Sequence, residues 1–301
     1  MHITIINITE KRHYKIRHWM KKIIDIKNLE FHYSGQKKLL NDLNLQLKSG
    51  SISGLIGKNG EGKTTLLKLI SGLIFPMNGV IEVLGFEPRK RDPQMLQDIF
   101  FLPEEILNSN LSIEHFERVY APFYPDFSSG SFYQYMNDFS IDPQTRKISE
   151  MSYGQRKKLL IAFGLASNSK LLLMDEPTNG LDIPSKGQFR RMVASVINEN
   201  NCILISTHQV LDLENIIDNI IIMDEHEIIF NEMTSNILKK LQFKTSEKKE
   251  FTESTIYAEE TGRGYSQIIE NKTEMESNLD IELLFNAIIN EREQIKSIME
   301  K

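Results

Sequence analysis

Residues 57–64 read Gly57-Lys58-Asn59-Gly60-Glu61-Gly62-Lys63-Thr64. This is the spacing G-x-x-x-x-G-K-[ST]. It sits between a short apolar run at 52–56, which reads as a strand, and a segment at 63–71, which reads as a helix. Glycines allow a loop to turn its backbone N–H groups inward around phosphate oxygens, and the following helix adds partial positive charge at its N-terminus. The placement predicts a P-loop in which Lys63 reaches the β- and γ-phosphates of a nucleotide and the Thr64 hydroxyl ligates Mg²⁺.

Working outward, residues 171–176 read Leu171-Leu172-Leu173-Met174-Asp175-Glu176. An apolar strand ending in an acid puts a carboxylate at the C-terminal edge of a sheet, where open α/β sheets bind ligands. Alone, this ending also reads as an exposed acidic turn. Behind a P-loop it predicts Asp175 in the Mg²⁺ shell and Glu176 free to polarise an attacking water. The continuous apolar runs at 171–174 and 202–206 suit strands buried on both faces. Between them Phe189, Met192, Val193, Val196 and Ile197 form one apolar stripe, which predicts a helix over 187–199. Looser alternation predicts strands at 23–33, 43–47 and 79–84 and a hairpin of 220–223 with 227–230; a further helix is expected over 155–167. Strands alternating with helices imply a mainly parallel sheet under helical cover.

The region 104–147 differs in character, carrying Phe116, Tyr120, Phe123, Tyr124, Phe127, Phe132, Tyr133, Tyr135 and Phe139, with prolines at 103, 122, 125 and 143. It reads as short helices forming a small subdomain, most rings in its core and some lining a docking surface. A polar stretch at 244–250 reads as a linker, followed by strands at 254–258 and 264–269 and one helix over 280–299.

The chain has 301 residues, 40% of them hydrophobic, enough for one good-sized core plus an appendage. Its net charge of −5 gives no reason to expect a nucleic-acid partner. The single cysteine, Cys202, excludes an internal disulfide and fits a reducing compartment; its apolar surroundings mark it as a core residue rather than a nucleophile. The longest apolar run, 159–166, has eight residues, against about 20 for a helical span, so any membrane passage must come from other chains. Residues 1–22 carry Lys11, Arg12, Lys15, Arg17, Lys21 and Lys22 with no apolar run behind them, so they are not a secretory signal. They read as a disordered tail; a basic arm touching a membrane and a start at Met20 are the alternatives.

Met151-Ser152-Tyr153-Gly154-Gln155 opens the helix at 155–167, Gly180-Leu181-Asp182 follows the acidic strand end, and Ser206-Thr207-His208 closes the next strand. P-loop, Ser-x-Gly-Gln signature, acidic strand and these two later motifs, in this order and spacing, resemble the ABC ATPase family over roughly residues 23–230. The resemblance implies an α/β P-loop cassette: a mainly parallel core sheet, an antiparallel β subdomain, a helical subdomain at about 104–150, and a small α+β extension at 236–301 beyond a cassette at 23–235. It implies ATP as the nucleotide, bound by Gly57, Asn59, Gly60, Gly62, Lys63, Thr64 and Thr65, with Tyr33 stacking on adenine. It implies a head-to-tail dimer in which Ser152, Gly154 and Gln155 of one copy meet the γ-phosphate held by the other, and Asp182 joins the two sites. His208 matches the histidine that contacts the γ-phosphate. Read without the resemblance, Tyr33 is a core tyrosine and His208 a loop histidine.

Two positions depart from the family. Tyr153 stands where the signature usually has glycine; only the Gly154 backbone needs to approach phosphate. Glu104 stands where a glutamine usually follows the apolar strand, here Phe100-Phe101-Leu102-Pro103, and its carboxylate is assigned to Mg²⁺ or water. Phe123-Tyr124-Pro125-Asp126, Ile183-Pro184 after Asp182, and the tail from Asp280 to Ala287 look like those of single-cassette bacterial exporters with separate permease subunits. That implies a peripheral protein on the cytoplasmic face of a membrane. The competing class is a soluble ABC ATPase acting in cofactor assembly or on ribosomes or DNA. Only 89 positions separate Lys63 from Ser152 (152 − 63), which leaves no room for the long coiled coil of the DNA-repair type.

Overall fold

The computed structural model describes residues 21–300, apart from 36, 107, 145–146, 214, 248–253, 263 and 274. Most of the expected tail, and the alternative start at Met20, lie outside the described residues. Lys22 already belongs to the first strand.

A six-stranded sheet forms the centre. Its strands are β3 (Ser51–Ile56), β5 (Ile99–Leu102), β6 (Leu171–Asp175), β7 (Cys202–Thr207), β8 (Asn219–Asp224) and β9 (Glu227–Met233), in the order β5-β6-β7-β3-β8-β9. All neighbours are parallel except β8 and β9, which form the expected hairpin. The apolar runs explain the layering. Leu171, Leu173, Cys202, Leu204, Leu55 and Ile221 point to one buried layer, while Leu172, Met174, Ile203, Ile205, Ile56 and Ile220 point to the other. Period-2 alternation with both faces apolar is what a covered parallel sheet requires. Cys202 is fully buried, and desolvation pushes its thiol up to about 12.

The first layer is closed by α1 (Lys63–Ile70) and by an antiparallel sheet of β1 (Lys22–Phe31), β2 (Leu40–Lys48) and β4 (Asn78–Val83), ordered β2-β1-β4. The loose alternation of β1 has a local cause: Asn28 takes φ +49° and the register slips there, so inward residues fall at Ile24 and Ile26, then Leu29 and Phe31. Asparagine tolerates this left-handed bulge, and its N–H donates to Asn44 Oδ1 at 3.0 Å.

The second layer holds the helices. These include α3 (Ile113–Tyr120), α4 (Ser129–Asp138), α5 (Tyr153–Ala166) and α6 (Ile183–Val196), whereas the short α2 (Pro93–Leu96) turns Met95 into the first layer. The aromatic region converges on Phe163 of α5, whose ring centroid lies 4.8–6.1 Å from those of Phe100, Phe116, Tyr124, Phe127 and Phe132. Phe123 is the ring left most exposed, at 67%. The α6 helix starts four residues before the expected 187, because Asp182 caps it and Pro184 fits its first turn.

The C-terminal segment contains α7 (Thr234–Lys240), β10 (Leu241–Ser246), β11 (Thr255–Thr261), β12 (Gly264–Glu270), α8 (Ile281–Asn290) and α9 (Arg292–Glu300). Two expectations are corrected here. The stretch read as a linker from residue 244 is strand as far as Ser246, Lys244 pairing with Gln267 and Ser246 with Tyr265. Edge pairing uses backbone groups, which hydropathy does not register. The single closing helix is two, broken where Glu291 leaves helical dihedrals at φ −125° and ψ 38°. Ile281, Leu284 and Ile288 of α8 join the same buried cluster as Ile203 and Ile205 of the central sheet.

Because one side chain joins five other rings, Phe163→Ala should lower stability by about 3–5 kcal/mol. A urea midpoint within experimental error of wild type would show that the rings pack independently of it.

Candidate active site

The P-loop follows β3 directly, and its glycines are needed for different reasons. Gly60 and Gly62 take φ +91° and +105°. A Cβ at Gly57 would meet the Met223 carbonyl oxygen at 2.7 Å. That carbonyl belongs to the β8–β9 hairpin, whose turn residues Glu225 and His226 both have positive φ. The same turn holds the loop elsewhere: His226 N–H donates to Glu61 Oε2 at 2.9 Å, and Lys58 pairs with Asp224 at 3.6 Å. Lys63 is buried, with Nζ donating to the carbonyls of Gly57 at 2.7 Å and Lys58 at 3.0 Å. Burial pulls its ammonium below the ordinary lysine value, against the opposing fields of Glu176, Asp175, Glu61 and Glu104.

Asp175, 1% exposed, ends β6 and accepts two hydroxyl bonds: Thr64 Oγ1 to Oδ2 at 2.7 Å and Ser206 Oγ to Oδ1 at 2.5 Å. Glu176 then leaves the strand at φ +45°, a conformation unfavourable for a residue with a Cβ. It is held by its N–H, which donates to the Ser206 carbonyl at 3.1 Å. Its Oε1 lies 2.8 Å from His208 Nδ1, while Oε2 is buried and has no hydrogen-bond partner among the described residues. Thus Lys63, Thr64, Asp175, Glu176 and His208 converge at the C-terminal ends of β3, β6 and β7. Among the described residues no cluster of three His, Cys, Asp or Glu side chains could cage a metal.

Tyr33 lies just beyond β1, 36% exposed, with its hydroxyl 3.1 Å from Thr65 Oγ1 and its ring edge-on to Phe31 at 4.9 Å. Glu104 follows β5, and its Oε1 accepts from Asn179 Nδ2 at 3.1 Å. Ser152 caps α5 in a reciprocal box with Gln155. Gly154 abuts the turn at Gly180 of its own chain, since a Cβ there would meet the Gly180 carbonyl at 2.9 Å. Asp182 accepts from the Ser185 N–H at 2.8 Å, and Ser185 with Lys158 holds its carboxyl below the usual range. Among the described residues no hydrogen bond joins Ser152, Gly154 or Gln155 to the P-loop of the same chain.

Three residues of the site, Ser206, Tyr153 and Lys157, take roles that the sequence alone does not assign them. Ser206 lay inside a quoted motif, yet nothing marked it as the second donor to Asp175. Tyr153 donates its hydroxyl to the Glu104 carbonyl at 2.8 Å, and its ring covers Gly180. Lys157 is fully buried, with Nζ reaching the carbonyls of Glu104 at 3.1 Å, Pro103 at 3.3 Å and Asp175 at 3.4 Å. The signal for Lys157 was present: with Ile161 and Leu165 it lies on the buried stripe of α5, where a lysine needs partners.

Comparison with known proteins agrees with this geometry. Residues 40–179 match the ABC transporter family. The ABC transporter ATP-binding protein YtrB of Bacillus subtilis (strain 168) is 31% identical over 208 residues, 68% of this chain and 70% of that one. The lantibiotic transport ATP-binding protein SrtF of Streptococcus pyogenes is 32% identical over 208 residues, covering 69% and 89% of the two chains. The chain belongs to the ATP-binding subunits of ABC transporters. It binds and hydrolyses ATP as a transporter subunit. The bacitracin transport ATP-binding protein BcrA of Bacillus licheniformis is 31% identical over 236 residues, 76% of this ABC subunit and 77% of the relative. A solved ATP-binding subunit of an ABC transporter, 24% identical, superimposes with a TM-score of 0.63 over 71% of this chain and 91% of that one, which supports the fold. No described helix is long and apolar enough to cross a membrane.

Lys157 gives a pH test of the site. Burial lowers its pKa in the fold to about 8, from an ordinary 10.5. Between those values the unfolded chain holds the extra proton, so stability rises with pH across that window. The stability difference between wild type and Lys157→Met, from urea unfolding, should be flat below pH 8 and grow in favour of wild type towards pH 10.5. A constant difference would mean that the lysine stays charged in the fold throughout.

Proposed function

We propose that two copies of this chain enclose two ATP molecules, each between the P-loop of one copy and the Ser152–Gln155 signature of the other, and that hydrolysis powers export through separate permease subunits. The single observation that carries the hydrolytic assignment is Glu176: one carboxylate oxygen is gripped by His208 and the other is buried without a partner among the described residues. A buried carboxylate oxygen left unbonded is costly unless something polar meets it, and an attacking water serves that need. Lys63, curled on the loop carbonyls, has the reach and charge for phosphate oxygens. Tyr33 offers a partly exposed ring for adenine.

The oxygen-only pair of Thr64 and Asp175 suits Mg²⁺, which prefers one or two protein oxygens together with substrate phosphates over a dedicated cage. Thr64 and Asp175 would hold the ion, with Glu104 as a further oxygen. When bound, Mg²⁺ neutralises charge on the phosphates. The chain's own groups do the remainder: Lys63 orients the γ-phosphate, Glu176 takes the proton of water, and His208 fixes Glu176.

Dimerisation follows from what one copy lacks. Among the described residues Ser152 and Gln155 bond each other, and Gly154 lies against the Gly180 carbonyl rather than the P-loop beside Asp175. The exposed Ile183, 85% accessible and next to Asp182, is apolar surface that a second copy would cover. Export, and a peripheral place on the cytoplasmic face of a membrane, rest on the resemblance of residues 123–126 and 183–184 to single-cassette exporters. The names of relatives that transport bacitracin and lantibiotics support the same reading. The exposed rings of Tyr120 and Phe123 supply a docking surface on the helical region for a permease.

Glu176→Gln should retain ATP binding, lose about 10²-fold or more of kcat, and elute as an ATP-dependent dimer in size-exclusion chromatography. Hydrolysis at the parent rate would refute Glu176 as the base. Purification of the tagged chain from detergent-solubilised membranes should bring down a multi-spanning protein at equal stoichiometry. Recovery with ribosomal, DNA or scaffold proteins instead would refute the permease partnership.

A further inference from the structure

The tip of the β8–β9 hairpin is built from residues that do not suit it. Asp224 pairs with Glu227, so Glu225 and His226 form a two-residue turn, and both lie at positive φ, +49° and +67°. Glycine, asparagine and aspartate take such positions at low cost; glutamate and histidine do not. Strain of this kind persists where the surroundings use it. The pairing leaves the His226 N–H outside the ladder, and it donates to Glu61 Oε2 at 2.9 Å. The imidazole also lies against the P-loop, with Nδ1 3.4 Å from the Glu61 carbonyl oxygen.

Glu61 is equally out of place by composition. A phosphate loop gathers N–H groups around an anion, and a carboxylate there repels the ligand. Its neighbours Gly60 and Gly62 are both left-handed, so this crest of the loop has the most backbone freedom to lose on binding. Among the described residues nothing lies within 4 Å of where a Gly60 Cβ would stand, so packing does not fix the crest on that side. Glu61 is the one side chain between the two glycines, and its carboxylate is turned onto the hairpin tip, its side chain 14% exposed.

We propose that Glu61 is a positioning residue for nucleotide binding: latched to the His226 N–H, its carboxylate holds Gly60–Gly62 in the shape that receives phosphate, and the strained turn persists because it presents that donor. This rests on the P-loop being the nucleotide site. Glu61 then has two opposed effects, since its charge weakens phosphate binding and its latch strengthens it. Glutamine at this position removes the charge and keeps an acceptor for the latch; alanine removes both.

The test compares Glu61→Gln and Glu61→Ala in the full chain, two variants of equal charge. ADP and ATP should each bind about fivefold more weakly to Glu61→Ala than to Glu61→Gln. The factor should be the same for both nucleotides, because the loop N–H groups cradle the phosphates they share. KM for ATP should rise by that factor while kcat moves far less, the pattern of lost uniform binding. Hydrogen exchange of the turn peptide, followed by mass spectrometry without nucleotide, should quicken in Glu61→Ala and not in Glu61→Gln. Equal affinities in the two variants would overturn the proposal. So would unchanged exchange at the turn in Glu61→Ala, or a fall in kcat with KM unmoved. Lys63→Ala tests the site itself: nucleotide binding as tight as in wild type would refute the P-loop as the nucleotide site, an outcome separate from any difference between the two Glu61 variants.

Discussion

The bonding of one buried carboxylate organises the site. Asp175 sits at the end of β6 directly opposite Ser206 of β7 and accepts from that hydroxyl and from Thr64 in the first turn of α1. Leaving such a group buried and unpaired costs several kcal/mol, so each of the three elements is held at the distance its hydroxyl or carboxylate requires. The remaining chemistry is placed by chain adjacency to this joint. Lys63 precedes Thr64, Glu176 follows Asp175, and His208 comes two residues after Ser206. None of these side chains needs a scaffold of its own.

A second tie runs from the joint to the helical region. Lys157 gathers the carbonyls of Pro103, Glu104 and Asp175, and Tyr153, one turn earlier on α5, donates to the same Glu104 carbonyl. The helix that begins with the signature is thereby fastened to the ends of β5 and β6. The aromatic cluster around Phe163 secures the far half of the same helix.

Most of the central sheet was legible because buried parallel strands are written as unbroken apolar runs, and the P-loop because phosphate binding needs glycines at fixed spacing. What escaped the sequence depended on interactions between distant backbones. The pairing of Lys244–Ser246 with β12 involves polar residues on an edge and leaves no hydrophobic trace. The break before α9 lies at Glu291, a good helix former whose type does not announce it. In the site, the residues legible from sequence are those whose type is dictated by phosphate or proton chemistry. Ser206 and Tyr153 were not, because a hydroxyl gains meaning only from the neighbour it faces.

The outer wall of the P-loop comes from the β8–β9 turn. Met223 closes on Gly57, Asp224 on Lys58 and His226 on Glu61, the last pair 165 residues apart in sequence. A ribosome adding about 5–20 residues per second delivers that turn on the order of ten seconds or more after the loop it supports. The growing chain therefore carries the loop's glycines long before it carries the loop's shape. Nucleotide affinity is a late property of this polypeptide, gained only when its central sheet is nearly complete.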